Sequence, residues 1–341
     1  MKVARLYHFN DIRIDDVPVP EVGPGDALMR TRACGICSGD AMSWYIEKKA
    51  PLVIGHEPAG ELVTVGSDVR GFAPGDRVFA HHHAPCTVCR YCQRGDHVQC
   101  ETWRGSKIIP GGVSEYILIP AVNLRQDTLK LPDSVSFEDG CLVEPAACVM
   151  KSLKRSGIRR GDTVLVLGLG VMGQMHILLA REFGAGRIIG ADMVEYRLRK
   201  ASEFGADEVI TVFDGGLKKR VADMTGGRMA DIVIAGPNSA EVMLQGLDVV
   251  AAGGTVVFFT PAKPGEVITF DPNVLYFRDI SLVTSYSCGP EDTRAALAHI
   301  QKGTISAQKL VTHRFSIDQT SQAFRLTAKA GASLKSVIVF P

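Results

Sequence analysis

The first 150 residues or so carry short β-type runs separated by turn residues. Apolar and β-branched positions recur in stretches of strand length, with Gly and Pro between them. The tetrapeptides at 23–26 (GPGD) and 73–76 (APGD) suit tight turns, because Pro presets φ and Gly accepts a positive φ. The runs are VPVPEVGPGDALMRTRACG (17–35), GELVTVGSDV (60–69), GDRVFA (75–80) and SEYILIP (114–120). This pattern predicts an all-β unit.

From about residue 150, short apolar runs alternate with segments of helical period. Consecutive apolar, β-branched positions are typical of strands buried on both faces. The runs are TVLVLG (163–168), RIIGAD (187–192), DEVI (207–210), ADIVIAG (230–236), GTVVFF (254–259) and ISLVTS (280–285). The alternation predicts a doubly wound parallel sheet, hence an α/β protein. A helix at 291–303 and β-type runs at 309–317 and 336–340 follow, and we expect them to rejoin the first unit.

The charge balance excludes two classes of protein. The 341 residues include 38 Lys and Arg against 37 Asp and Glu, which leaves a net charge of +1. A nucleic-acid-binding surface needs a clear basic excess, so we expect no nucleic-acid partner. Disorder is excluded by 46% hydrophobic residues and the absence of a long charge run. At about 150 residues per domain, the length suits two domains.

The sequence shows neither a secretion signal nor a membrane span. The N-terminal segment lacks an apolar core and a small-residue cleavage site. The longest apolar stretch, 164–180, is interrupted by Gly, Gln and His. We therefore expect a cytoplasmic protein with no membrane partner. In that reducing compartment the nine cysteines are expected to be thiols or metal ligands instead of disulfides.

A glycine-rich turn follows the first buried strand of the second unit. The segment GLGVMG places Gly168, Gly170 and Gly173 at G-x-G-x-x-G spacing between a strand and a helix, the context of a dinucleotide-binding fingerprint. The first Gly permits the tight turn, the second lets a pyrophosphate approach the backbone, and the third lets helix and strand pack closely. The helix N-terminus offers N–H groups to the phosphates. The alternative is a glycine-rich turn that binds no dinucleotide.

The next predicted strand ends at Asp192, at the distance expected for the carboxylate that binds the adenosine ribose. A carboxylate there repels a 2′-phosphate, so NAD is favoured over NADP. Arg197, five residues later, could cover the adenine or partly offset that repulsion. The other candidate cofactor-binding residues are Val171, Met172, Gly236, Thr260 and Ser285.

Four cysteines lie close together in a loop-like segment. The spacing C-x2-C-x2-C-x7-C is formed by Cys86, Cys89, Cys92 and Cys100. The segment has too few apolar residues for a core of its own, and a tetrahedral zinc with four thiolates would hold it while leaving no position for substrate. We predict a structural zinc, with an iron–sulfur cluster as the competing interpretation. The predicted packing thiols are Cys34, Cys141, Cys148 and Cys288.

A second set of zinc-type ligands is dispersed along the chain. The candidates are Cys37 in ACGICSGD, His56 and Glu57 in VIGHEPAGE, and Glu144 in LVEPAACVM. Catalytic zinc usually takes three protein ligands and keeps a fourth position for water or substrate, which a thiolate, an imidazole and one carboxylate satisfy. His56 and Glu57 would face opposite sides of a regular strand. Either the backbone bends at 55–58 so that both side chains approach the metal, or Glu57 contacts a metal ligand without binding the metal itself. Glu144 precedes a proline and is expected at a helix start.

The order of these motifs resembles the zinc-dependent medium-chain dehydrogenase/reductase family. Cys37, Gly-His-Glu (55–57), the clustered cysteines, Glu-Pro (144–145) and GLGVMG follow one another as in that family and cover essentially the whole chain. The resemblance implies a GroES-like β domain at 1–149 and 287–341, split around a Rossmann NAD(P)-binding domain at 150–286. It also implies a small-molecule alcohol substrate and a homodimer or homotetramer.

Two subgroups of that family resemble the chain in particular. Glu57 and Glu144 resemble the pattern of sorbitol and other polyol or sugar dehydrogenases, whereas liver-type alcohol dehydrogenases ligate zinc with a further cysteine. His83, three residues before the cysteine cluster, is similar to an active-site histidine of the L-threonine 3-dehydrogenases. The segments DMVEYRL (192–198) and THRFSID (312–318) are similar to theirs as well.

One position departs from the family pattern. The usual Cys-Gly-Ser/Thr-Asp reads Cys37-Ser38-Gly39-Asp40 here, so glycine replaces the hydroxyl that starts the proton relay, and Met42 replaces a histidine often found nearby. The candidates to move the alcohol proton instead are Ser38, Ser43, Glu57, Glu144 and one of His81, His82 or His83. We count Ser38, Asp40 and His83 as catalytic residues together with the four zinc-ligand candidates.

The expected activity is oxidation of a secondary alcohol of the polyol, sugar or cyclitol type to a ketone, with hydride transfer to NAD. The expected cofactors are one catalytic Zn²⁺, one structural Zn²⁺ and NAD, with NADP less favoured. One alternative is an amino-alcohol dehydrogenase similar to L-threonine 3-dehydrogenase. The other is a non-catalytic sensor that binds NAD and zinc.

Overall fold

A computed structural model describes residues 1–212, 216–329 and 331–341. The chain divides into two compact units, which we call the first unit (Met1–Ala147 with Cys288–Pro341) and the second unit (Cys148–Ser287). The sequence analysis predicted these boundaries between residues 149 and 150 and between residues 286 and 287. Within the described ranges, no helix has both the length and the apolar character that crossing a bilayer requires.

The strands are numbered along the chain. They are β1 (Lys2–His8), β2 (Asp11–Asp16), β3 (Ala27–Gly35), β4 (Leu52–Val53), β5 (Glu57–Val65), β6 (Arg77–Ala80), β7 (Tyr116–Ile119), β8 (Thr128–Lys130), β9 (Thr163–Leu167), β10 (Arg187–Asp192), β11 (Glu208–Thr211), β12 (Ala230–Ala235), β13 (Val250–Phe258), β14 (Ser281–Thr284), β15 (Val311–Phe315) and β16 (Lys335–Val339).

The helices are numbered in the same way. They are α1 (Ser43–Ile46), α2 (Arg90–Gln93), α3 (Glu101–Gly105), α4 (Ala121–Asp127), α5 (Phe137–Gly140), α6 (Val143–Ser156), α7 (Val171–Ala180), α8 (Glu195–Glu203), α9 (Leu217–Thr225), α10 (Ala240–Val249), α11 (Pro272–Tyr276), α12 (Pro290–Gln301), α13 (Ala307–Leu310) and α14 (Thr320–Ala328). Short 3-10 turns lie at Ser38–Ala41, Glu47–Lys49, His97–Gln99 and Ile317–Gln319.

The second unit is built on a parallel sheet in the order β11–β10–β9–β12–β13–β14, the strand order of the dinucleotide-binding fold. In β9, Val164 and Val166 pack into one apolar cluster, whereas Leu165 and Leu167 pack into another. Successive side chains of a strand point to opposite faces, so the sheet is buried on both sides. The predicted doubly wound sheet is confirmed, and each predicted run coincides with one of β9–β14.

The first unit contains a mixed sheet in the order β15–β16–β3–β5–β6–β8, with β7 also paired to β3, and a smaller sheet in the order β2–β1–β4. Strands β15 and β16 are parallel, and the other pairings are antiparallel. Val337 of β16 pairs with Gly35 of β3, so the C-terminal runs rejoin the first unit as expected. This pairing also brings residue 335 next to the end of β3.

The first unit departs from the predicted all-β pattern in two respects. Short helices such as α4 interrupt it, and segments of this length are too short to show a helical period in the sequence. The predicted run 17–35 is a strand only over Ala27–Gly35, because Pro18 and Pro20 have no N–H to donate to a sheet. The two predicted turns are present, since Asp26 N donates to Gly23 O and Asp76 N donates to Ala73 O, each at 3.1 Å.

Candidate active site and metal centres

A bend at Gly55 lets two neighbouring residues face one point. Its φ is +88°, a conformation that other residues rarely adopt, and a Cβ there would lie 2.7 Å from Val113 Cγ2. His56 follows the bend, and β5 begins at Glu57. The ligand atoms of Cys37, His56 and Glu57 lie within 4.8 Å of one another. The backbone bend that the sequence left as one of two alternatives is therefore present.

Asp40 orients His56. The turn at Ser38–Ala41 begins directly after Cys37, whose Sγ accepts a hydrogen bond from Gly39 N at 3.3 Å. It brings Asp40 Oδ2 to 3.1 Å from His56 Nδ1, which leaves Nε2 available to a metal ion. Burial opposes the imidazolium, but Asp40 and Cys37 raise the pKa of His56 well above its ordinary value. The site thus favours a positive charge at this point, as a zinc site should.

A buried ion pair holds Glu57. Lys335 Nζ lies 2.5 Å from Glu57 Oε2 and 2.7 Å from Oε1, and it also donates to the Ile36 carbonyl at 3.0 Å. Both charged side chains are at most 2% exposed. Burial raises the pKa of Glu57 although Lys335 opposes the rise. Residue 35 has to be glycine, because a Cβ there would lie 2.0 Å from Glu57 Oε2.

Glu144 lies beside a second group of possible metal ligands, and its charge also acts on Glu57. It is the second residue of α6, at the helix start that the following proline predicted, and it is 5% exposed. Its carboxylate lies within 4.8 Å of ring nitrogens of His81 and His82. Among the described residues, the carboxylate grouped with Cys37 and His56 is that of Glu57.

His81 lies in a buried hydrogen-bond network. Its Nδ1 is 2.7 Å from Asp127 Oδ2, and Asp127 Oδ1 accepts a hydrogen bond from Thr293 Oγ1 at 2.5 Å. Cys288 Sγ lies 3.7 Å from His81 Nε2. Cys288 is buried, as a packing thiol would be, but it also has an imidazole beside it.

His83 lies outside both ligand sets. Its Nδ1 is 2.5 Å from the Ser106 carbonyl, so Nδ1 carries the proton and Nε2 is the acceptor in the neutral ring. Burial lowers the pKa of His83 to about 4 although the Ser106 contact opposes the shift. The ring packs 4.3 Å from the rings of Trp103 and His82. His83 is therefore a neutral acceptor near pH 7.

Two positions considered for the proton relay, 38 and 39, lie close to Cys37. A Cβ on Gly39 would lie 3.4 Å from Cys37 Sγ and 3.7 Å from Met42 Cε, so a side chain at position 39 would stand against the zinc cysteine. Ser38 is the first residue of the turn after Cys37 and is exposed.

The four clustered cysteines converge in a lobe formed by α2, α3 and the turn at 97–99. Their Sγ atoms lie within 4.8 Å of one another, with Cys89 to Cys92 at 3.5 Å and Cys86 to Cys92 at 4.0 Å. Tetrahedral zinc with bonds of about 2.3 Å requires S–S distances of about 3.8 Å. None of the nine cysteines, all of which lie in the described ranges, forms a disulfide. Burial and hydrogen bonds with the sulfurs of Cys89 and Cys100 raise the pKa of Cys92 to about 12. The donors thus fit a structural zinc.

The glycines of the fingerprint occupy the positions that a dinucleotide requires. Gly168 has a φ of +83° at the end of β9, and α7 begins at Val171 with Gly170 as its N-cap. A Cβ on Gly173 would lie 2.0 Å from Gly168 O, so helix and strand can pack only with glycine there. A Cβ on Gly170 would meet only the Arg197 guanidinium, 3.8 Å away, which leaves this stretch of backbone open to a phosphate.

Asp192 is held in place at the end of β10. Its Oδ2 accepts from Leu169 N at 2.6 Å and its Oδ1 from Val194 N at 2.8 Å. The nearest guanidinium nitrogen, Arg197 Nη1, lies 3.8 Å from Oδ2. The carboxylate is thus fixed beside the glycine turn, with one arginine next to it.

The remaining cofactor candidates lie at the carboxyl edge of the parallel sheet, where ligands of this fold bind. Gly236 follows β12, Thr260 lies just beyond β13, and Ser285 follows β14. Thr260 Oγ1 donates to Gly236 O at 2.6 Å, and Ser285 Oγ is buried without a hydrogen-bond partner. Met172 lies in the first turn of α7 with Val171.

The sequence analysis did not predict that three residues would lie beside the candidate site residues, namely Lys335, Asp127 and Cys288. A lone lysine in the apolar strand β16 is the one signal that could have been noticed, because lysine is rarely fully buried without a partner. Asp127 and Cys288 carry no local pattern that separates them from ordinary helix and loop residues.

Comparison with known proteins gives the family of this architecture. A profile described as "Alcohol dehydrogenase GroES-like domain" matches residues 23–133, and one described as "Zinc-binding dehydrogenase" matches residues 171–302. The chain is 32% identical to a sorbitol dehydrogenase of Bombyx mori, over 98% of this chain and 97% of the relative. The chain belongs to the zinc-dependent medium-chain dehydrogenase family. It is therefore a zinc-dependent alcohol oxidoreductase with a GroES-like unit and a Rossmann unit.

Two further relatives extend this finding. An L-idonate 5-dehydrogenase of Vitis vinifera is 31% identical over 97% of this chain and 93% of its own length. A Sinorhizobium meliloti protein described as a zinc-binding dehydrogenase and solved bound to NADP has a TM-score of 0.89 and 29% identity, over 99% of each chain.

Proposed function

We propose that this protein oxidises a secondary alcohol of the polyol, sugar or cyclitol type to a ketone, with NAD as the hydride acceptor. The observation that carries the proposal is the convergence of Cys37, His56 and Glu57 within 4.8 Å, with Asp40 behind the imidazole. Cys37 and His56 are partly exposed, so a small molecule can reach them. Relatives named for sorbitol and for L-idonate support a substrate with several hydroxyls.

When bound, zinc supplies Lewis-acid polarisation of the substrate hydroxyl, and the nicotinamide supplies the hydride acceptor. Cys37, His56 and Glu57 would hold the catalytic zinc. Asp40 keeps the Nδ1 proton of His56 in place, and Lys335 keeps Glu57 ionised. The second, structural zinc would bind the four cysteines of the lobe.

His83 is proposed to accept a hydrogen bond from the substrate. Its Nδ1 donates to Ser106 O, which leaves Nε2 as an acceptor. Ser38 is the hydroxyl next to Cys37 and takes over the relay position that Gly39 lacks. Replacing each in turn, as His83→Asn and Ser38→Ala, should lower kcat more than it raises KM.

The preference for NAD rests on Asp192. Its fixed carboxylate would accept hydrogen bonds from both ribose hydroxyls and would repel a 2′-phosphate. Arg197, 3.8 Å away, weakens that repulsion, and one similar structure holds NADP. We therefore expect turnover with both cofactors and a higher kcat/KM with NAD.

A homodimer or homotetramer is proposed from two features of the second unit. Val267, Tyr276 and Phe277 are 83%, 76% and 78% exposed, and among the described strands β14 pairs only with β13. Exposed apolar side chains and a sheet edge with a single strand neighbour each suit contact with a second copy of the chain. Phe277→Asp should yield monomers in light scattering, whereas Val19→Asp, at an exposed site in the first unit, should not.

The cytoplasm is the proposed location, because nine cysteines without disulfides, among them thiolate metal ligands, persist in a reducing compartment. Oxidation by glutathione disulfide should release zinc from the cysteine lobe, and this can be followed with a chromophoric chelator.

The deciding experiment is an initial-rate panel of sorbitol, a cyclitol and L-threonine, each with NAD and with NADP. The proposal expects the highest kcat/KM with a polyol or cyclitol and NAD, and loss of activity after chelation. A higher rate on L-threonine would favour the amino-alcohol activity. Absence of turnover on a wider alcohol panel, with zinc verified at the catalytic site, would favour the sensor.

A further inference from the structure

We propose that the ammonium of Lys49 selects an alcohol substrate that carries an anionic group, a carboxylate or a phosphate, on a carbon other than the one oxidised. This inference rests on the proposed function and deepens it, because it names the charge class of the substrate of the same site. It follows from the place of Lys49 in the fold, from the contact that holds its side chain, and from the groups on which its charge acts.

Lys49 lies on the segment that joins two of the candidate zinc ligands. Cys37 comes directly before the turn at Ser38–Ala41, and α1 and the turn at Glu47–Lys49 follow. The chain then passes through β4 and reaches His56. Both ends of this segment are therefore fixed at the candidate catalytic site, so its side chains are available to line the space around that site.

A series of contacts leads from the zinc cysteine to Lys49. A Cβ on Gly39 would lie 3.4 Å from Cys37 Sγ and 3.7 Å from Met42 Cε. Met42 O accepts a hydrogen bond from Tyr45 N at 3.0 Å. Tyr45 and Lys49 are four positions apart in consecutive helical turns, a spacing that places both side chains on one face. Accordingly, Lys49 Nζ lies 3.8 Å from the centre of the Tyr45 ring.

The charge of Lys49 acts on two walls of the site. Burial lowers the pKa of His82 and of His83, and the positive charge of Lys49 adds to both shifts. Burial opposes the lowered pKa of Asp40, which His56 and, to a smaller extent, Lys49 bring about. His82 and His83 follow β6, whereas Asp40 lies in the turn before α1. The ammonium is therefore close to both of these parts of the first unit.

The Tyr45 ring positions the ammonium without neutralising it. An aromatic face attracts a cation through its quadrupole and carries no net charge. Among the residues that the structure describes, Lys49 forms no ion pair, and it is exposed to solvent. A positioned ammonium without a counter-charge favours a carboxylate or a phosphate over a neutral hydroxyl. The reacting hydroxyl has to approach Cys37 and His56, so the group that meets Lys49 belongs to another carbon of the substrate.

The test compares neutral and anionic substrates of equal configuration. The pairs are sorbitol with D-gluconate and D-mannitol with D-mannonate, and sorbitol 6-phosphate adds the phosphate. Initial rates with NAD give kcat/KM for each compound, and calorimetry on zinc-loaded protein with NADH gives its binding without turnover. Wild type should favour an anionic compound over its neutral counterpart, and whichever anion is preferred identifies carboxylate or phosphate as the group recognised. The preference should shrink from about 0.05 M to about 0.5 M salt, because ions screen an exposed charge.

Three variants separate the charge of Lys49 from other effects. Lys49→Gln should lower the anionic-to-neutral ratio of kcat/KM by about 10–100-fold, the loss expected for one charge-assisted contact. Lys49→Arg keeps the charge and should retain the anionic preference. The matched control is Lys48→Gln, which removes the neighbouring exposed charge and should leave the ratio unchanged.

Two results would overturn the proposal, namely wild type preferring the neutral compound in every pair, or Lys49→Gln keeping the anionic preference. A raised KM for NAD in Lys49→Gln, with the ratio unchanged, would assign the ammonium to the cofactor phosphates instead. If no alcohol is oxidised, the proposed function fails, and the calorimetric ratio still decides whether Lys49 binds an anion.

Discussion

The ion pair between Lys335 and Glu57 should be the most costly single contact to break in the first unit. Substituting Lys335→Met removes the ammonium and keeps the bulk of the side chain. The Glu57 carboxylate, 1% exposed, is left without its partner at 2.5 Å and 2.7 Å, and the Ile36 carbonyl loses its donor at 3.0 Å. The variant thus buries an uncompensated charge.

The expected cost follows from burial. Removing one partner of a buried ion pair destabilises a protein by about 3–5 kcal/mol. A value of about 4 kcal/mol lowers the folding equilibrium constant by about a thousandfold. The double variant Lys335→Met with Glu57→Gln removes both charges and should recover about half of this loss, because no buried charge is left unpaired.

The chain offers a matched control and a selective probe. Lys130 Nζ and Asp76 Oδ2, also in the first unit, lie 2.7 Å apart, but their side chains are 52% and 22% exposed. Lys130→Met should cost less than about 1 kcal/mol, as exposed pairs do. Both tryptophans, Trp44 and Trp103, lie in the first unit, so their fluorescence during urea unfolding reports on that unit.

All variants should be measured at one buffered zinc concentration, because metal binding adds to apparent stability. If Lys335→Met costs no more than Lys130→Met, burial does not determine the strength of the pair. If the double variant is as unstable as the single one, the cost comes from lost packing and not from the unpaired carboxylate.

Three further predictions concern other parts of the molecule. Asp40→Asn should weaken catalytic-site zinc about 10–100-fold, because it removes the carboxylate behind His56; a chelator competition that shows unchanged affinity would contradict this. Asp192→Ser should raise the kcat/KM ratio of NADP to NAD by about tenfold or more, since Arg197 then faces the 2′-phosphate without a carboxylate beside it. Initial rates with both cofactors measure this ratio, and an unchanged ratio would contradict the prediction. Burial lowers the pKa of His176 to about 4 in the folded protein. As the pH falls below about 6.5, the unfolded chain therefore protonates this imidazole while the folded protein does not. Stability of the second unit should thus be full above pH 6.5 and fall towards pH 4 by about 3 kcal/mol; calorimetry should show a shallower fall for His176→Gln.

Much of the fold could be predicted because its signals are local. Strand β9 shows consecutive apolar, β-branched residues because both faces of a parallel sheet are buried. The glycines at 168, 170 and 173 stand where the backbone itself approaches a neighbour, and no other residue fits at 173. The four cysteines lie within fifteen positions, so their convergence needs little tertiary information.

The arrangement of the catalytic residues could not be predicted, because it depends on contacts between residues far apart in the sequence. Lys335 and Glu57 are 278 positions apart and meet only because β16 pairs with β3, which in turn pairs with β5. The sequence left open whether Glu57 or Glu144 is the third ligand of one zinc. In the structure Glu57 is grouped with Cys37 and His56, and Glu144 with His81 and His82.

The sequence by itself determined the two-unit architecture, the glycine turn and the types of metal ligand. Tertiary structure alone decided which ligands share a point, and which buried charge balances which. The physical reason is that periodicity and spacing report local backbone geometry and burial. The pairing of buried charges depends instead on which distant strands become neighbours, and strands such as β16 can pair at many places until the sheet is formed.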